Sequence, residues 1–199
     1  MRFILASASA RRIELIKRLN INAEVIVSNF DEESLAFQGN ISDYVIKLSK
    51  GKAEDVKNRL VKIPEEPYIV IGYDTIVSAN GIIMGKPKDK EHAFCMLKSL
   101  SGKTHEVYSG ITVIGWNGKC ISDVACTEVD FSELDDDTIR WYINPGEPLD
   151  KAGAYGIQGY AGTFVKAING CYYNVVGLPL NKLGIMLKEM GVNLYREEG

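Results

Sequence analysis

Two histidines in 199 residues, four cysteines with no C-x-x-C pair, and no apolar run of membrane-spanning length set the first boundaries on this chain. With His92 and His105 isolated in sequence, neither a zinc site nor a serine–histidine nucleophile pair is expected. Cys95, Cys120, Cys126 and Cys171 match no zinc spacing and read as reduced thiols of a cytosolic protein, although spacing alone leaves a disulfide open. The apolar run at 3–6 is too short for a secretory signal, and Arg11 and Arg12 follow it instead of preceding it. A soluble, cytoplasmic protein with no membrane partner is the expectation. The formal net charge of -3 argues against general nucleic-acid binding, which needs a clustered basic surface. Any anion bound here must be held by a local group of cations. Neither a G-x-x-x-x-G-K-[ST] loop nor a G-x-G-x-x-G is present, and "SGKTHEV" has no upstream glycine at phosphate-loop spacing.

What remains is an ordinary globular mixture, 46% hydrophobic and 25% charged, long enough for one sizeable core or two small lobes. No repeat, low-complexity segment or Pro/Ser-rich linker divides it. Residues 1–6 read as a short buried strand, 10–19 as a helix and 24–27 as a second strand before the acidic "NFDEES". Ile41, Val45, Leu48, Val56 and Leu60 recur at helical spacing over 41–60. Residues 68–84 read as a buried strand running into a hairpin at Asn80-Gly81. A helix over 89–100 precedes a strand-rich stretch over 107–131 with a second turn at Asn117-Gly118, and a short acidic-started helix covers 135–143. The glycine-rich "NPGEPLDKAGAYGIQGYAG" reads as a long loop, followed by a strand reaching Ile168 and a closing helix over 180–190. The pattern predicts a mixed α/β fold with a central sheet and flanking helices, in two lobes around a cleft.

Four places resist a bland reading. In "LASASARRIELIKRLN", Ser9 is a natural N-cap, which puts Arg11 and Arg12 in the first turn, where the helix dipole repels cations. Free backbone N–H groups, the hydroxyls of Ser7 and Ser9 and two guanidinium groups would together suit an anion with several oxygens, such as a phosphate chain. The alternative is a solvated arginine pair whose stems cover Leu15, Ile16 and Leu19. Asp74 interrupts the otherwise apolar "YIVIGYDTIV", and an ionised carboxylate there must be paired, metal-bound or turned to local capping. Lys52 falls on the stripe set by Val45, Leu48 and Val56, so it either snorkels outward or reaches an anion, with Gly51 leaving room for close approach. Lys86, held extended by Pro87, is either a cleft cation or an exposed loop lysine. If these cations converge with Glu32 and Asp74, they suit a phosphate chain with a divalent metal between the two sets.

The blocks "LASASARR", "FDEE", "GYDTIVSANGIIMGKP", "SGKTHEVYSG", "DKAGAYGIQGYAG" and "INGCYYNVVGLPL", in this order, resemble the Maf-like proteins from Phe3 to about Leu187. The resemblance implies a single domain over 1–199, a fold similar to the inosine triphosphate pyrophosphatases, and hydrolysis of nucleoside triphosphates to monophosphate and pyrophosphate with Mg²⁺ or Mn²⁺. By position, Ser7, Arg12, Glu32, Lys52, Asp74 and Lys86 fall on the family's functional positions, Asp74 on its proton acceptor; the mechanism expected from this places the metal on the carboxylates of Glu32 and Asp74, Glu32 binding directly or through water. Arg11, Thr75 and Gln158 fall on positions linked to substrate choice and resemble the branch acting on dTTP and UTP. The 7-methyl-GTP branch usually carries tryptophan where this chain has Arg11. A homodimer is also implied. Ala10 stands where the family usually has proline, which costs some preorganisation of the first turn but keeps a good helix former. The competing readings are a nucleotide-binding regulator of cell division and a pyrophosphatase for another base, including modified ones. A pure binder has no need of a buried carboxylate, so Asp74 favours the enzyme.

Overall fold

A computed structural model of the chain describes residues 1–60 and 66–194; the remainder of the expected 1–199 domain, 61–65 and 195–199, lies outside the described residues. The N-terminal strand β1 (Arg2–Leu5) is flanked by two parallel neighbours, β2 (Ala23–Val25) and β3 (Tyr68–Ala79), with Phe3 opposite Ala23 on one side and Ile69 on the other. Successive Ile4 and Leu5 point to opposite faces and both are fully buried, so the strand carries the apolar run "FIL" instead of an alternating pattern. The short β4 (Ile82–Met84) folds back on β3 through Asn80 and Gly81, both at positive φ, as that hairpin turn requires. With β5 (Thr104–Gly115), β6 (Cys120–Phe131) and β7 (Val165–Asn169), the sheet runs β2-β1-β3-β5-β6-β7, mixed in direction, with β6 and β7 antiparallel.

Six α-helices accompany it among the described residues: α1 (Ala10–Lys17), α2 (Ile41–Leu60), α3 (Lys90–Leu100), α4 (Asp136–Ile143), α5 (Tyr172–Val176) and α6 (Leu180–Glu189). The expected α/β architecture with a mixed sheet and flanking helices is therefore present. Differences from expectation are local. Helix α1 stops short of 19 because the N–H groups of Arg18, Leu19 and Asn20 bond to carbonyls three residues back and Asn20 turns left-handed at φ 56°. The second turn is a four-residue connection closed by Gly115 N–H to the Lys119 carbonyl, not a two-residue hairpin. Helix α5 was not anticipated, its five residues being too few to show a period. The glycine-rich loop folds into three short 3₁₀ turns, Glu147–Asp150, Ala152–Ala154 and Tyr160–Phe164.

Two compact units emerge. The first comprises Met1–Asp74, Ser109–Ala125 and Gly177–Gly199; the second comprises Thr75–Tyr108 and Cys126–Val176. In the first, α2 sits so close to the sheet that a Cβ on Gly72 would lie 2.2 Å from the Ser49 carbonyl oxygen, and one on Gly110 2.2 Å from that of Val45. Two strand glycines thus let the helix backbone rest directly on the strands, above Ile4, Ala53, Val56, Val70 and Ile114. The second unit is built around Phe131, Tyr142, Tyr155 and Phe164 in edge-to-face contact.

Candidate functional site

Helix α1 begins where β1 hands over to "SAS". Ser9 occupies the cap position as expected, but its hydroxyl makes no capping bond, and no acidic residue stands in the first turn. Helices α3 and α4 start differently: Asp89 accepts from the His92 N–H at 2.7 Å, and Asp135 from that of Thr138 at 2.7 Å. In place of an acidic cap, α1 offers guanidinium groups. Arg12 is held in place: its Nε donates to the Gly177 carbonyl at 3.1 Å, its Nη1 donates to Ser7 Oγ at 3.1 Å, and its guanidinium lies 4.8 Å over the Tyr73 ring. Ser7 Oγ also accepts from the Ser9 N–H at 3.3 Å, so the buried hydroxyl keeps its proton for a further acceptor. Below this point Leu15 and Ile16 bury the helix's apolar face.

Tyr73 and Asp74 are successive residues of β3, and successive strand side chains point to opposite faces. Tyr73 meets Arg12 from α1, while Asp74 meets Lys52 from α2. Asp74 does not cap a turn; it sits mid-way along the twelve-residue β3 and is paired. Lys52 does not snorkel outward. Its ammonium donates to Asp74 Oδ1 at 2.5 Å and lies 2.8 Å from Glu32 Oε1, the lysine and aspartate side chains being 14% and 12% exposed and the glutamate 54%. The space that Gly51 leaves beside it is taken by the Phe30 ring, which a Cβ would meet at 2.5 Å. Burial raises the Asp74 pKa above the ordinary 3.8; Lys52 and Arg12 oppose this, and Glu32 adds to it. A carboxylate that is more basic than usual yet flanked by cations has the character of a proton acceptor. Arg12 in turn has its pKa lowered by burial and raised by Asp74, so the two groups lie within each other's electrostatic reach.

Ser7, Arg12, Glu32, Lys52 and Asp74 thus come together in the first unit, with Ser9 and Arg11 at the same helix start. Thr75, Lys86 and Gln158 belong to the second unit: Thr75 is half-buried, Lys86 and Gln158 exposed. Sequence reasoning missed Tyr73 and the Gly177 carbonyl, which help Ser7 to orient Arg12. Tyr73 was visible as an aromatic neighbour of Asp74; nothing in "VVGLPL" announced a carbonyl partner. For a cation, the donors on hand are the two hard-oxygen carboxylates that already share Lys52. Among the described residues no group of three His, Cys, Asp or Glu side chains gathers to hold a metal. Two carboxylates would suit a Mg²⁺-type ion, a hard cation that proteins commonly hold through one or two carboxylates.

A mixed α/β chain that has a guanidinium at an uncapped helix start, within electrostatic reach of a buried basic carboxylate paired with an ammonium, has the groups of a phosphate-handling protein. The sequence profile of the family described as Maf-like protein matches residues 2–190, and the chain belongs to that family. A Clostridium tetani protein named dTTP/UTP pyrophosphatase is 59% identical over 195 residues, 98% of this chain and 100% of that protein. A protein of the same name from Clostridium botulinum is 57% identical over 192 residues, 96% of this chain and 98% of that protein. Among solved structures, the Staphylococcus aureus Ham1 protein superposes with a TM-score of 0.45 at 15% identity, over 96% of this chain and 100% of that one. Among the described residues no helix is long and apolar enough to cross a membrane.

Proposed function

We propose that this chain is a nucleoside triphosphate pyrophosphatase that hydrolyses dTTP and UTP to the monophosphate and pyrophosphate. The observation that carries the reading is the buried Asp74, raised in basicity and held by Lys52 within the field of Arg12. The relatives named dTTP/UTP pyrophosphatase, alike over almost their full length, support the choice of substrate. In this reading Asp74 takes a proton from the attacking water as the anhydride between the α- and β-phosphates breaks and pyrophosphate departs with the bonding electrons. Arg12, Lys52 and Lys86 offset the charge that develops on the phosphate oxygens, and the hydroxyls of Ser7 and Ser9 with Arg11 orient the chain. Thr75 and Gln158 distinguish the base: uracil and thymine present acceptor, donor, acceptor, and the threonine hydroxyl with the glutamine amide answers that pattern. Glu32 and Asp74 would hold Mg²⁺ or Mn²⁺, which when bound polarises phosphate oxygens. The reading extends to a cytoplasmic homodimer, whose mass in solution light scattering measures.

The test is a pyrophosphate assay with dTTP, UTP, CTP and 7-methyl-GTP at equal concentration with Mg²⁺. Pyrophosphate release fastest from dTTP and UTP is expected. Binding without turnover, or 7-methyl-GTP as the preferred substrate, overturns the assignment.

A further inference from the structure

The second unit contains a buried histidine that the proposed reaction does not use. His105 on β5 is 2% exposed, and its Nε2 lies 2.8 Å from the Tyr155 hydroxyl. Its ring stands edge-on to Phe131 at 4.8 Å and to Tyr155 at 5.3 Å. Its other ring nitrogen, Nδ1, has no hydrogen-bond partner among the described residues. A half-satisfied polar ring in an aromatic core is costly, and a phenylalanine of similar size would pack there without that penalty. What the histidine adds over an apolar ring is the single bond to Tyr155. Burial pushes its pKa down to about 4, so the ring is neutral in ordinary buffer and the bond persists.

Tyr155 is the buried anchor of the 151–160 segment. Just before it, Gly153 and Ala154 take consecutive left-handed conformations at φ 68° and 59°. Ala154 is not a residue that favours this region, and it stays there because it is wholly buried and flanked by fixed points. One of those points is the Gly153 N–H, which donates to the Gly85 carbonyl at 3.1 Å, next to Lys86. Beyond Gln158 the segment is braced again: the Tyr160 N–H donates to Glu147 Oε2 at 3.3 Å, and the Tyr142 hydroxyl donates to Glu147 Oε1 at 3.3 Å. Gly159 lies so near this carboxylate that any Cβ there would overlap Oε1. Gln158 itself is exposed, on a short span fixed at both ends.

We infer that the His105–Tyr155 bond is a positioning clamp that sets the 151–160 segment, and through it Gln158, for reading the base of the nucleotide. His105 and Tyr155 are positioning residues that touch no reacting atom. The inference rests on the assignment of Gln158 as a base contact, and the Gly153–Gly85 bond ties the same segment to the residue next to Lys86.

The test removes one hydroxyl. Tyr155→Phe keeps the ring packing and is expected to raise KM for UTP and lower the UTP-to-CTP ratio of kcat/KM by about three- to tenfold, the worth of one buried hydrogen bond. Its kcat for UTP stays within about twofold of the parent. Amide hydrogen exchange at 156–160 quickens while that of β5 does not. His105→Gln, whose amide can meet the hydroxyl, recovers most of the ratio, whereas His105→Leu does not. An unchanged ratio and unchanged exchange in Tyr155→Phe overturn the clamp. So does a kcat loss uniform over all nucleotides that Phe131→Leu reproduces at the same fall in Tm, since that marks mere core damage. Gln158→Ala is assayed alongside. If it and Tyr155→Phe both keep the parent's ranking while exchange at 156–160 quickens, the base-contact assignment falls and takes the clamp's role in specificity with it.

Discussion

Asp74 and His105 are both buried titratable side chains on long strands, one in each unit, and their surroundings differ in kind. Asp74 is surrounded by charge: Lys52 in contact, Arg12 and Glu32 in its field. His105 is surrounded by rings, with a neutral phenol as its bonded partner and Asp130 as its one influential charge. Burial resists ionisation in both, so it raises the pKa of the acid and lowers that of the imidazole. The cations around Asp74 keep its charged state accessible, as proton transfer requires. Around His105 the neutral form is the stable one, as a fixed hydrogen bond requires. Counter-charges around a buried group, more than its burial, separate the candidate chemistry from the architecture.

The sharpest way to break this contrast is Asp74→Asn. Size is kept, and the charge and proton-accepting capacity are lost. Turnover is expected to fall about 10²–10⁴-fold, the usual worth of a general base, with Tm close to the parent's because Lys52 still has Glu32. Steady-state kinetics and a thermal melt check both halves, and activity within a few-fold of the parent would return Asp74 to the architectural class.

His105 predicts an effect on stability instead of turnover. Its folded pKa of about 4 lies below the ordinary 6.5, so the unfolded chain binds the proton first as pH falls. Its contribution to stability is complete above pH 6.5 and is lost progressively as pH drops towards 4, by roughly 3 kcal/mol at most. Urea melts across that range should show the loss in the parent and a flatter profile in His105→Gln. Parallel slopes in the two proteins would mean that other groups dominate acid unfolding.

Much of this was legible in the sequence, and the reasons differ by region. The 41–60 helix was read to its ends because twenty residues of apolar spacing fix a period, and Lys52 stood out as a charge on the wrong stripe. Asp74 stood out for the same reason, a charge inside an apolar run. His105 did not, because a lone histidine in "SGKTHEV" breaks no pattern and its partner is fifty residues away. The hold on Arg12 was hidden likewise, since Gly177 is 165 residues distant and contributes only a carbonyl. Local pattern exposes misplaced charge; it cannot expose long-range partners of ordinary residues.

Arg12→Ala tests whether the first unit's cations serve the phosphates. A desolvated charge-assisted contact is worth about 1.5–3 kcal/mol, so kcat/KM should fall about tenfold to a hundredfold or more, alike for dTTP, UTP and CTP. A variant that separates UTP from CTP would make Arg12 a reader of bases and blur the division between the two units.

The smallest expected effect comes from making α1 start as α3 and α4 do. Ser9 makes no side-chain cap, whereas Asp89 and Asp135 do, and an aspartate beside a helix N-terminus accepts a backbone N–H and complements the dipole. Ser9→Asp should therefore stabilise the protein by about 0.5–1 kcal/mol, read as a small rise in Tm. It should also raise KM for every nucleoside triphosphate, because the new carboxylate competes for the N–H groups and repels phosphate. The two changes have opposite value to the protein, more stability and weaker substrate binding, and they should appear together. Ser9→Ala separates the causes: it adds no charge, so it should leave Tm near the parent's and raise KM less than the aspartate does. If Ser9→Asp raises Tm without weakening any triphosphate, the uncapped start of α1 is only a missed cap, and the anion is held by the side chains alone.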